Sequence, residues 1–154
     1  MEGTVSRSYA FTPTLETASA QSSPRLMRAA VLVAPGRFEL LEVERPEPGP
    51  GQVRIRLQGT GVCASNIPPF EGRDWFSYPL APGELGHEGW GVVDALGEGV
   101  TGLNVGDRVT ALSFRAYAEY DLADAETVAR LPESLRDRPF PGEALGCVMN
   151  IFRR

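Results

Sequence analysis

The sequence lacks lysine altogether, since all fifteen of its basic residues are arginine. Without a lysine amine, the chain cannot form the Schiff bases on which one class of covalent catalysis depends. The formal net charge is −5, and the absence of a basic stripe argues against a surface that binds nucleic acid. Two cysteines are fewer than the disulfide frameworks of small secreted domains need, which favours reduced thiols and a cytoplasmic protein.

Long apolar runs are also absent. No stretch approaches the roughly 20 apolar residues that span a bilayer, so we expect no membrane partner. Residues 1–26 lack the apolar core of a secretory signal. They are rich in Ser, Thr and Ala without periodicity, and we expect a disordered N-terminal tail. An alternative is that the natural start is Met27, where the patterned sequence begins.

From Met27 onward, the sequence has the pattern of short strands separated by turns. In residues 52–59, apolar Val53, Ile55 and Leu57 alternate with arginines, and this period of two indicates a half-buried strand. Further strands are predicted at 29–33, 38–43, 90–96, 107–112 and 117–122. Many short strands with frequent Gly and Pro favour an all-β barrel or sandwich.

The end of the chain changes character. Apolar residues recur at roughly helical spacing within residues 142–154, which predicts a helix. No Gly-x-Gly-x-x-Gly fingerprint and no βαβ unit follows it, so we assign no residues to dinucleotide binding.

The one histidine is the most informative residue. His87 lies in the sequence Gly86-His87-Glu88, and Cys63 lies 24 residues upstream. A soft thiolate and an imidazole that a fold brings together suit zinc.

This order of residues closely resembles the signature of the zinc-containing alcohol dehydrogenases of the medium-chain dehydrogenase/reductase family. The signature positions are Gly86, His87, Glu88, Gly91, Gly97 and Val100. The resemblance runs from about Met27 to Arg154 and covers the N-terminal catalytic half of a usual member. It implies a GroES-like β-barrel over residues 27–140. Residues 141–154 would be the truncated first part of a helix leading to a Rossmann domain that is missing here.

The resemblance also implies a single catalytic zinc site. Cys63 and His87 are two of its ligands, and a catalytic zinc needs a third protein ligand beside an open position. Glu143 takes that place by resemblance, and Cys147 is its rival because some members use a cysteine. Only two cysteines are present, so we expect no structural zinc.

Two further residues have implied roles in the chemistry. In the family, a hydroxyl at the position of Ser65 relays the alcohol proton, and the carboxylate at Glu88 lies in or near the inner shell. Asn66 departs from the usual aspartate, which accepts a hydrogen bond from the ligand histidine. An asparagine can accept that bond through its amide oxygen but brings no charge, so the histidine would be a weaker donor to the metal.

Four aromatic residues crowd the loop between the two ligands. They either pack against the barrel or line an apolar substrate pocket. These residues are Phe70, Trp75, Phe76 and Tyr78.

The activity implied by the resemblance is zinc-assisted hydride transfer between an alcohol or aldehyde and NAD or NADP. The choice between the two nucleotides stays open, as does a homo-oligomer. Because the cofactor domain is absent from the sequence, we expect the isolated chain to lack turnover. The alternative is a non-catalytic zinc-binding or interaction module, or a gene fragment, with the same barrel. A zinc-free reductase is a third possibility, which Cys63 and His87 oppose.

Overall fold

The structure is a computed structural model that describes residues 25–135 and 138–152. These residues confirm the predicted mainly β class with short helices. The strands are β1 (Leu26–Ala34), β2 (Arg37–Glu44), β3 (Gln52–Thr60), β4 (Gly89–Leu96), β5 (Arg108–Ala111), β6 (Tyr120–Asp124) and β7 (Val128–Arg130), and the α-helices are α1 (Ile67–Glu71) and α2 (Gly142–Ile151). Of the predicted N-terminal tail, residues 1–24 lie outside the described residues.

Five strands form one antiparallel sheet in the order β6-β3-β4-β5-β7, and β1 and β2 form a separate hairpin. The hairpin joins the sheet's end at an antiparallel bridge between Ala29 and Ala118. The Ala30 amide donates to the Tyr117 carbonyl at 2.8 Å on the same side. This junction connects the hairpin to the five-stranded sheet.

The core lies on one face of the five-stranded sheet and consists mainly of β-branched and small residues. Such residues pack well on a pleated surface, and the alternation in β3 directs two of them inward. Its members are Val53, Ile55, Val93, Val109, Ala111 and Ala123.

Arg56 and Gln58 are exposed, as the half-buried pattern predicted for β3 requires, but Arg54 departs from that pattern. It points away from that core, yet only 5% of it is accessible. Its guanidinium donates to Asp94 at 2.7 Å and lies 2.6 Å from Glu47, and it stands over the Tyr120 ring. A charged side chain can be buried where oppositely charged and hydrogen-bonding partners such as these compensate for its lost hydration.

The strand limits differ from the prediction at the far end of the sheet. A strand was expected over 117–122, but β6 begins at Tyr120, because the backbone around Tyr117 bonds β1 instead. The short elements α1 and β7 were not predicted, since three to five residues carry too little periodicity to reveal them.

The predicted C-terminal helix is present as α2, and residues 153–154 lie outside the described residues. The Gly142 amide at its start donates to the Thr110 hydroxyl at 3.0 Å, which ties α2 to β5. Its apolar side chains, including Leu145 and Val148, are exposed. Within the described residues, no helix is both long and apolar enough to cross a membrane.

The close approach of β3 to β4 generates a stability prediction. A Cβ atom at Gly91 would overlap the backbone carbonyl of Arg56, whereas nothing lies within 4 Å of a Cβ at Gly146 in α2. We therefore expect Gly91→Ala to lower the free energy of unfolding by about 1–3 kcal/mol. Gly146→Ala, the matched control, should raise it by about 0.5–1 kcal/mol. Urea unfolding measures both, and a Gly91→Ala chain as stable as the parent would contradict this packing.

Candidate metal centre

Three potential metal ligands converge in the structure. One sulfur, nitrogen or oxygen atom from each of Cys63, His87 and Glu88 lies within 4.8 Å of the others. Among residues 25–135 and 138–152, no other group of three such side chains meets this criterion. The structure thus brings together the two ligands suggested by the sequence, with the carboxylate beside His87 as the third member.

Strand pairing explains this convergence. Thr60, the last residue of β3, pairs with Gly89, the first residue of β4, in antiparallel register. The chain leaves β3 toward Cys63, and it enters β4 directly after His87 and Glu88. Residues distant in sequence therefore meet at one end of one strand pair.

Gly61 makes room for the carboxylate of Glu88. The Gly61 amide donates to the Glu88 backbone carbonyl at 3.1 Å. A Cβ atom at position 61 would overlap the Glu88 carboxylate, which is buried. A side chain at this position would displace Glu88 from the group.

Ser65 acts on the sulfur of Cys63. Three groups hydrogen-bond this sulfur and lower the pKa of the Cys63 thiol below its ordinary value. In order of effect, they are the Ser65 hydroxyl, the Ser65 backbone N–H and His87. Hydrogen bonds to the charged form favour it, so the arrangement favours the thiolate that binds metals.

The ring of His87 is held by a backbone carbonyl. Its Nδ1 lies 2.9 Å from the Leu85 oxygen. A carbonyl can only accept, so Nδ1 carries a hydrogen, and Nε2 is the nitrogen left for a metal when the ring is neutral. Burial lowers the pKa of His87, but its hydrogen bonds with Cys63 and Leu85 outweigh burial and raise that pKa.

Leu85 adopts an unusual backbone conformation. Its φ is +84°, and among the described residues it is the one non-glycine residue with a positive φ. This region is costly for a side chain with a Cβ, and such residues cluster at functional sites. Here the conformation accompanies a carbonyl directed at the ring of His87.

Asn66 does not bond His87, which corrects the role expected for it. Its amide nitrogen donates to the Leu85 carbonyl at 2.9 Å, and its amide oxygen accepts from the Tyr117 hydroxyl at 2.9 Å. Asn66 and His87 thus share one acceptor. Burial, with the charges of Glu88 and Cys63, raises the pKa of Tyr117 and keeps its hydroxyl protonated.

Glu143 and Cys147 lie on α2 and do not belong to the converging group. The Cys147 thiol donates to the Glu143 carboxylate at 3.0 Å, and this carboxylate raises the pKa of Cys147. The charge of Glu143 also contributes to the raised pKa of His87, so it acts electrostatically on the site. Both remain predictions as ligands.

An apolar cleft of about 430 Å³ adjoins the centre at Cys63. Of the four loop aromatics, Phe70 lines this cleft, whereas Trp75 is 73% exposed. The full lining is Ala30, Phe38, Val62, Cys63, Asn66, Ile67, Phe70 and Tyr117. The sequence carries no signal for Phe38 and Tyr117, because they reach the cleft from β2 and from the segment before β6.

The chain matches known proteins over this region. The sequence model of one protein family, the alcohol dehydrogenase GroES-like domain, matches residues 49–133. A sorbitol dehydrogenase from Halalkalibacterium halodurans is 50% identical over 88 residues, which are 55% of this chain and 24% of that protein. An alcohol dehydrogenase from Moraxella sp. strain TAE123 is 35% identical over 139 residues, covering 71% of this chain and 41% of that protein.

A solved structure shares the fold. It is a short chain alcohol dehydrogenase from E. coli CFT073 complexed with the cofactor NADH. The TM-score is 0.61 at 25% identity, over 71% of this chain and 40% of that chain. The matched part of this chain therefore covers 24–41% of the length of these three proteins. The matches confirm the GroES-like barrel, and the chain belongs to the alcohol dehydrogenase family, of which it carries the GroES-like catalytic domain.

Proposed function

We propose that this chain supplies the metal-binding, substrate-activating part of a zinc-dependent alcohol or aldehyde oxidoreductase that uses NAD or NADP. The observation that carries the proposal is the convergence of Cys63, His87 and Glu88 at one end of the β3–β4 pair. Family membership supports it, as does the NADH complex of the E. coli relative. The proposed setting is the cytoplasm.

The donor set fits zinc. Thiolate, imidazole and carboxylate are the ligand types that zinc takes in proteins, and three protein ligands leave a position open for substrate. The lowered pKa of Cys63 favours the ligating thiolate, and the hydrogen on Nδ1 of His87 leaves Nε2 as the ligating nitrogen when the ring is neutral. Cys63 and His87 are the proposed ligands. The family resemblance implies Glu143 as the third, whereas Glu88 is the carboxylate in the converging group.

Each side chain has a proposed task in the reaction. Bound zinc supplies a Lewis acid for the substrate oxygen, and the nicotinamide supplies the hydride acceptor. The Ser65 hydroxyl, held against the Cys63 sulfur, would accept the alcohol proton while it releases its own hydrogen to solvent, to which Ser65 is exposed. Glu88 places a buried side-chain oxygen beside His87 and Cys63.

Metal analysis is the first test. We expect roughly one zinc ion per purified chain, lost in Cys63→Ala and His87→Ala, because each removes one of three or four ligands. Glu143→Gln and Glu88→Gln identify the carboxylate ligand. Cys147→Ala tests the rival ligand, and Asn104→Ala, a change at an exposed position outside the site, is the control that should retain the metal. Equal zinc content in the parent chain and in both Cys63→Ala and His87→Ala would overturn the site.

Asn66 gives a second test, because it fixes the carbonyl that orients His87. We expect Asn66→Ala to weaken zinc binding by about 10-fold, as losses around metal ligands do. Asn104→Ala, a change in an exposed turn, is the matched control. Competition with a chromogenic chelator measures both affinities. Unchanged affinity in Asn66→Ala would mean that the Leu85 carbonyl needs no support.

Turnover gives a third test. We expect the isolated 154-residue chain with zinc, NAD or NADP and a panel of alcohols to give no reduced-cofactor absorbance. The physical reason is that the barrel holds the substrate side of the reaction, whereas hydride transfer needs an oriented nicotinamide. Clear turnover by the chain alone would refute this expectation. Zinc binding without turnover is also the result that a non-catalytic module gives, so alcohol binding at the centre distinguishes the two.

A further inference from the structure

We propose that the alcohol or aldehyde taken by this centre has an apolar skeleton with a ring, of the benzyl type, and is not a polyol. The inference deepens the proposed function and rests on it. It is carried by the apolar cleft that opens at Cys63.

Aromatic rings form the walls of this cleft. Phe38 and Phe70 lie with ring centroids 6.1 Å apart and an interplanar angle of 18°, and Phe38 meets Tyr117 edge to face at 6.4 Å. Both phenylalanines are close to half exposed, at 42% and 45%. Rings in such arrangements favour a further ring in offset or edge-to-face contact.

The cleft offers almost no free hydrogen-bonding groups. Its polar side chains are Cys63, Asn66 and Tyr117. The Tyr117 hydroxyl donates to the Asn66 oxygen, and the Asn66 amide nitrogen donates to the Leu85 carbonyl. A polyol entering here would lose water from several hydroxyls that find few partners, which opposes its binding. An apolar ring loses nothing comparable.

The cleft connects directly to the proposed zinc centre. Cys63 belongs both to the cleft lining and to the converging ligands. A substrate with its oxygen at the metal and its ring among Phe38, Phe70 and Tyr117 therefore occupies both at once. The volume of about 430 Å³ lies within the usual range for small-molecule pockets.

Binding to the zinc-loaded 154-residue chain tests the proposal without turnover. The probes are benzyl alcohol and D-sorbitol, titrated separately and followed by NMR shifts of the protein. We expect benzyl alcohol to bind at least tenfold more tightly than D-sorbitol. Equal affinities, or tighter binding of D-sorbitol, would overturn the substrate class.

A matched pair of exposed valines tests the location. Val62 lines the cleft and is 78% exposed, and Val105 is 63% exposed and lies outside the lining. We expect Val62→Trp to weaken the binding of benzyl alcohol at least fivefold and Val105→Trp to change this affinity less than twofold. Zinc content is measured in each variant. Equal effects of the two substitutions would refute binding in this cleft.

His87→Ala separates this inference from the metal function, because His87 lies outside the cleft lining. We expect the His87→Ala chain to lose zinc and to bind benzyl alcohol no more than tenfold more weakly than the parent. Complete loss of benzyl alcohol binding in this variant would overturn the proposal that the cleft binds the ring. If the parent chain binds benzyl alcohol but no zinc, the proposed function fails while the cleft stands. If it binds zinc without preferring benzyl alcohol, the substrate class fails alone.

Discussion

The pairing of Thr60 with Gly89 is the constraint on which the candidate centre depends. This register ends β3 and starts β4 at the same edge, so the segments that carry Cys63 and His87 leave the sheet side by side. A slip by one residue would turn every side chain of a strand to the other face. The close approach at Gly91 holds the register, because only a residue without a side chain lets β4 lie against the Arg56 carbonyl.

A second level of order fixes the histidine ring. The Leu85 carbonyl accepts from both Asn66 and His87, and Tyr117 secures Asn66 from the other side. A fully satisfied polar network of this kind restricts its members to one arrangement. The neutral Leu85 carbonyl therefore accepts the hydrogen bond from His87 that a charged aspartate accepts in the family that the sequence resembles. The left-handed backbone at Leu85 is a local cost that the network compensates.

The sequence predicts those parts of the molecule that depend on local pattern. The alternation around Ile55 and the helical spacing after Gly142 identified β3 and α2, because burial on one face repeats with a fixed period. The motif around His87 identified the family. The burial of Arg54 was not predictable in this way, since its partners Glu47 and Asp94 come from other segments.

The network around Leu85 was equally beyond the sequence. Asn66 and Tyr117 are 51 residues apart in the sequence. A positive φ can be predicted at a glycine but not at a leucine such as Leu85. For the same reason, the third ligand stays a prediction. Glu88 supplies one of the three converging atoms, whereas Glu143 acts on His87 through its charge.

X-ray absorption at the zinc edge of the metal-loaded chain tests the central claim most directly. One sulfur at about 2.3 Å, with nitrogen and oxygen neighbours at about 2.0–2.2 Å, is the shell that the convergence of Cys63, His87 and a carboxylate predicts. A shell of oxygen and nitrogen alone, with no sulfur, would contradict it.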